Sequence, residues 1–126
     1  MKKLFISCPM KDRTEENIKD SMERMHQMAE LIFCEKLDVI PSYIEENPPE
    51  DVNRKLWYLG KSIQLLAEAD YFIGIGYSEC FVGCDIEAQA ARKYGIRATF
   101  VDMAEFMPDA VEIEKRYFLT MAPVGY

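Results

Sequence analysis

The chain has one histidine in 126 residues, no apolar run approaching a membrane span, and fewer basic than acidic side chains. Each shortage removes a class of function. His26 lies within a helical pattern and has no partner visible in sequence, so a Ser-His-Asp hydrolase is not indicated. Without about 20 consecutive apolar residues there is no candidate membrane helix. Met1-Lys2-Lys3 is followed by too few apolar residues for a secretory leader. The expected location is cytoplasmic, with no membrane partner. Fifteen Lys and Arg against 22 Asp and Glu give a net charge of −7, which offers no footprint for nucleic acid, although a small basic cluster can still hold one phosphate.

The four cysteines, Cys8, Cys34, Cys80 and Cys84, suit reduced thiols rather than a disulfide scaffold. Cys80 and Cys84 alone make a weak metal motif, so no metal is expected. Walker-type phosphate loops are absent. Gly74-Ile75-Gly76 begins like a dinucleotide fingerprint, but Glu79 stands where the third glycine belongs, and the motif does not follow the first strand. No internal repeats or low-complexity stretches occur.

What is present is a chain with 49% hydrophobic residues, enough for one core, read as a single domain over 1–126. Leu4 to Ser7 reads as a first strand, and Pro9 opens the loop CPMKDR. Thr14 caps a long helix in which Ile18, Met22, Met25, Ala29, Ile32 and Phe33 recur at helical spacing. Val39 and Ile40 make a short strand ending at Pro41, and Ser42 to Asp51 is a loop. Asp51 to Ala69 is helical, with an interruption at Gly60 among the possibilities, and Trp57 and Tyr58 are assigned to the core. Tyr71 to Ile75 and Arg97 to Val101 are further strands, Pro108 to Arg116 is helical, and Tyr117 to Tyr126 shows no period. Strands alternating with helices predict an α/β fold with a parallel sheet covered on both faces.

The stretch from Asp70 to Gly95 concentrates the chemistry. A buried strand runs into the loop Gly76 to Gly83, and ligands in open α/β sheets sit beyond the carboxyl ends of the strands. A helix is predicted from Cys84 to Lys93, which places Glu87 in its first turn. There the exposed N–H groups and the helix dipole favour an ionised carboxylate, able to act as a nucleophile. Acidic residues are also common in first turns for the dipole alone.

FISCPMKDRTEENI at 5–18, SIQLLAEADYFIGI at 62–75 and FVGCDIEAQAARKYGI at 81–96 together resemble the nucleoside 2-deoxyribosyltransferase-like superfamily, closest to a small bacterial and phage branch. The most specific part is the spacing of Val82, Gly83 and Glu87 after Ala69-Asp70. The resemblance implies a flavodoxin-like or Rossmann-like three-layer α/β/α sandwich with four to five parallel strands, in homodimers or higher oligomers. It implies Glu87 as the catalytic nucleophile that attacks the anomeric carbon of a 2-deoxyribosyl group. The base leaves, and the sugar passes to another base or to water. No cofactor is implied.

The expected ligand is a nucleoside or its 5′-monophosphate. In relatives the loop after the first strand meets the substrate, which makes Ser7, Lys11 and Arg13 candidates for a hydroxyl or phosphate. Tyr77, Ser78 and Gly83 belong to the rim, and Tyr126 matches a terminal residue able to reach a neighbour's pocket. Ser62 stands where many relatives carry an aspartate that handles the leaving base, and Asp70 is an alternative carboxylate, although an aspartate at a strand start more often caps or pairs structurally. A hydroxyl does not replace an acid as proton donor at neutral pH. A non-catalytic nucleotide-binding or sensing module is therefore the second function class.

Overall fold

The computed structural model of the chain describes residues 1–42 and 44–121. Four short runs form strands: β1 (Lys2–Ile6), β2 (Leu37–Val39), β3 (Tyr71–Gly74) and β4 (Arg97–Phe100). Five helices connect and follow them: α1 (Glu15–Phe33), α2 (Arg54–Leu66), α3 (Val82–Lys93), α4 (Met103–Phe106) and α5 (Pro108–Met121). The strands pair in the order β2-β1-β3-β4, all parallel. The fold is a three-layer α/β sandwich of the flavodoxin-like and Rossmann-like kind, with the lower of the two expected strand counts among the described residues.

Side chains alternate across the sheet, and the two faces build separate cores. Leu4, Ile6, Tyr71 and Ile73 meet Met25 and Ala29 of α1, Phe106 of α4, and Ala110 and Ile113 of α5. Phe5 and Phe72 point the other way, to Leu66 of α2 and to Ala88 and Ala91 of α3. α1 and α3 leave the adjacent strands β1 and β3 toward opposite faces, so the chain changes direction between the carboxyl ends of these two strands. That is the topological switch point of this class of sheet.

Local chemistry sets the element ends. Thr14 caps α1 by accepting from the Asn17 N–H at 3.1 Å, as its position predicts. Asn53 does the same for α2 through Leu56 at 3.0 Å. α2 then runs unbroken through Gly60, where an added Cβ would meet nothing within 4 Å, so glycine costs about 1 kcal/mol relative to alanine without ending the helix. Trp57 and Tyr58 are half-buried and pack edge to face on each other at 5.2 Å, rather than entering the core. Gly74 is required sterically, since a Cβ there would lie 2.7 Å from the Phe72 ring, and Gly76 turns the chain with φ of +80°.

Candidate functional site

Ser7 follows β1 and remains in the sheet, its N–H donating to the Ile73 carbonyl at 2.9 Å. Two residues after Phe5, it shares the Phe5 face, which α3 covers. On α3, Cys84, Glu87, Ala88 and Ala91 are the buried residues, one helical stripe against the sheet. These two periodicities bring Ser7 and Glu87 together. The Ser7 hydroxyl donates to Glu87 Oε1 at 2.7 Å, and Ser62 of α2 is the other hydroxyl that acts on the carboxyl group's ionisation. Glu87 is 9% exposed and, among the described residues, makes no ion pair.

The helix-dipole expectation for Glu87 needs correction. α3 begins at Val82, not Cys84, so Glu87 lies in the second turn and the first-turn acid is Asp85. The earlier start follows from Ser78, whose hydroxyl accepts from the Phe81 N–H at 2.9 Å and turns the chain into the helix. Burial, not the dipole, dominates at Glu87: it pushes the carboxyl above its usual range, and the Ser7 and Ser62 hydroxyls pull it only part of the way back. The neighbouring Cys84 thiol is pushed up to about 12 by burial, so it stays protonated and is no competing nucleophile.

Other expected site residues are placed differently. Arg13 is turned inward, its side chain fully enclosed, and its guanidinium grips Asp109 of α5 through Nε at 2.8 Å and Nη2 at 3.0 Å. Its remaining donors reach the Pro9 carbonyl at 2.9 Å and the Ser21 hydroxyl at 2.7 Å. Arg13 therefore ties the β1–α1 loop to α1 and α5 and has no donor left for a ligand. Lys11 is exposed, with its ammonium 5.8 Å from the centre of the Tyr117 ring. Asp70 lies at the amino end of β3, where it accepts from the Lys3 backbone N–H at 2.8 Å. That is the opposite end of the sheet from Glu87, and its role is to join β1 to β3.

Within the loop between β3 and α3, Ser78 is buried and also donates to Glu114 at 3.2 Å, so it shapes the rim rather than facing outward. Tyr77 is 71% exposed and donates its hydroxyl to Glu79 at 2.8 Å. Gly83 leaves space at the start of α3: a Cβ there would meet only Leu59, at 3.9 Å. Tyr126 lies outside the described residues. Asp109 and Glu114 escape sequence reasoning because their partners Arg13 and Ser78 are 96 and 36 residues away. The first-turn position of Asp109 is its only local signal.

No family model, curated protein or solved structure matches the chain. The site must therefore be judged on its own geometry. It sets a nearly buried carboxyl group against hydroxyls at the switch point of the sheet, and the loop leading into α3 carries the exposed Tyr77 ring. Two concavities lie elsewhere: one of about 520 Å³ around Glu30, Cys34 and Lys36, the other of about 190 Å³ around Lys3, Pro41 and Leu65. Neither includes Glu87 or Ser7.

Among the described residues no group of three or more His, Cys, Asp or Glu is arranged to hold a metal ion. No described helix is long and apolar enough to cross a membrane.

Proposed function

We propose that this chain cleaves or transfers the N-glycosidic bond of a 2′-deoxynucleoside or its 5′-monophosphate, with Glu87 as nucleophile, in the manner of nucleoside 2-deoxyribosyltransferase-like proteins. The observation that supports this reading is a carboxyl group buried without a counter-ion beside Ser7, at the switch point where such sheets bind ligands. One Glu87 oxygen is held by Ser7, which orients the carboxylate for attack on the anomeric carbon. The C1′–N bond breaks as the new ester forms, through an oxocarbenium-like transition state whose positive charge the carboxylate stabilises. Water or a second base then displaces Glu87 and restores the original anomeric configuration. The chemistry calls for no cofactor.

The experiment is product analysis on a panel of deoxynucleosides and monophosphates with wild type and Glu87→Ala. Base release or exchange by the wild type should fall about a thousandfold or more in the variant, and intact mass should reveal a glycosyl ester on the wild-type chain. Absence of any Glu87-dependent product removes the enzymatic reading. The second reading, a binding or sensing module, draws on the burial that favours a protonated Glu87 and on Ser62 at its side. Tight nucleoside binding without turnover is its signature. In this proposal the protein works in the cytoplasm as a homodimer or higher oligomer, with exposed Leu56 of α2 and Val82 of α3 available to a neighbour. Sedimentation tests the oligomer.

A further inference from the structure

We propose that the Glu87 site is matched to a cationic N-glycoside, a pyridinium-type nucleoside whose base departs as a neutral heterocycle. The inference rests on the proposed N-glycoside chemistry and narrows its substrate class. Two features of the site point the same way.

The first is that, among the described residues, no acid is hydrogen-bonded to Glu87. A purine or pyrimidine leaving a neutral nucleoside carries away the electron pair of the C1′–N bond as an anion unless an acid protonates it. The groups that act on Glu87 are the Ser7 and Ser62 hydroxyls, which do not act as acids near neutral pH. Asp70, the alternative carboxyl, is committed to Lys3 at the far end of the sheet. When the ring nitrogen already bears a positive charge, the electron pair returning to it neutralises that charge, and no proton is needed.

The second feature is the charge balance. Glu87 has no cation within ion-pair distance among the described residues. Arg13 is spent on Asp109, Lys61 of α2 binds Glu46 at 2.7 Å, and Lys11 sits near Tyr117. On the other side of the account, the rim loop offers the exposed Tyr77 ring with Glu79 bonded to its hydroxyl, a pairing of aromatic face and carboxylate suited to a flat cation. A cationic ring would supply the counter-charge that the fold withholds from Glu87.

The step balances simply. A Glu87 oxygen forms a bond to C1′, the C1′–N⁺ bond breaks, and its electron pair stays on the departing neutral pyridine. In hydrolysis, water then adds its oxygen to C1′, the C1′–Oε bond breaks, and one proton is released to solvent. The overall change is nucleoside cation plus water to free sugar, heterocycle and a proton.

The test compares ribosyl- and 2′-deoxyribosyl-nicotinamide with 2′-deoxyadenosine and 2′-deoxyuridine, using the full chain as wild type and Glu87→Gln. Base release is followed by chromatography and the covalent ester by intact mass of the wild type, which does not depend on the variant folding. The expected result is Glu87-dependent release of nicotinamide, with kcat/KM at least about tenfold above the neutral nucleosides, a floor set below the roughly 10²–10⁴-fold that a placed proton donor ordinarily contributes. Glu87-dependent turnover of the neutral nucleosides at an equal or higher kcat/KM overturns this inference and leaves the proposed function standing. No ester and no Glu87-dependent release from any substrate overturns both.

Discussion

Two ionisable side chains are withdrawn from water on opposite faces of this sheet, and the chain treats them in opposite ways. Arg13, on the face covered by α1 and α5, is fully enclosed and meets Asp109 with a two-bond fork, a carbonyl and a hydroxyl. Glu87, on the face covered by α2 and α3, is nearly as hidden but meets only hydroxyls. Desolvating an ion costs several kcal/mol, roughly offset in the first case by a partner charge. In the second case the missing partner leaves an unbalanced field beside the switch point. A structural ion pair has spent its electrostatics within the fold, whereas an isolated carboxyl group keeps them available to a ligand that carries or develops positive charge.

The largest expected effect comes from breaking the satisfied region. Asp109→Ala leaves the Arg13 guanidinium enclosed and unpaired, and should cost about 3 kcal/mol in urea denaturation, the low end for a buried pair because Asp109 is 32% exposed. Replacing both partners, Arg13→Met with Asp109→Leu, should recover most of that loss. The pH dependence follows the same pair. The Arg13 hydrogen bond holds Asp109 below its ordinary value of 3.8, so its contribution is present above that value and lost as pH falls through the depressed one. If Asp109→Ala were neutral, the two regions would not differ as described.

Which of these features was legible in sequence depends on how far apart the partners lie. The layered fold follows from local patterns: the Thr14 cap, the strand runs and the helical spacings between them. Ser7 is a candidate through the resemblance alone, and its contact with Glu87, 80 positions away, appears only once the sheet and α3 are packed. The Arg13–Asp109 fork was not legible, since nothing near either residue announces a partner 96 positions away, and an exposed charged loop has the same composition as a buried clasp. Asp70 pairs with the backbone, as a strand-opening aspartate commonly does. A strand-opening residue in a parallel sheet lies at the amino end, away from the switch point, and that topological consequence outweighs its chemical suitability. The electrostatic setting of Glu87 was misread because a two-residue shift in the helix start matters less than burial, which only packing reveals.

A smaller effect sharpens the unsatisfied region. Ser7→Ala removes the hydroxyl that donates to Glu87 at 2.7 Å. Hydrogen bonds to charged groups contribute about 1.5–3 kcal/mol, so the variant should lose stability on that scale at pH 8, where the carboxylate is least protonated. The same change in a Glu87→Gln background should cost less, and the difference in a double-mutant cycle isolates the Ser7–Glu87 coupling. Equal losses in both backgrounds would mean that Ser7 serves the sheet rather than the carboxyl group.

The mildest substitution is Glu87→Gln alone, and its sign separates the two regions most clearly. Burial raises the Glu87 carboxyl above its ordinary value of 4.5, so the folded state binds this proton more tightly than the unfolded chain does. The wild type therefore holds its full share of stability below pH 4.5 and loses it as pH rises through the folded value. Glutamine, which cannot ionise, escapes that loss: Glu87→Gln should be more stable than wild type at pH 8, by about 1.4 kcal/mol for each unit of elevation, and indistinguishable from it near pH 3. Paired thermal melts across that range measure the gap. A variant less stable than wild type at pH 8 would show that the charged carboxylate is stabilised by its surroundings, and Glu87 would then belong with Arg13 rather than opposite it.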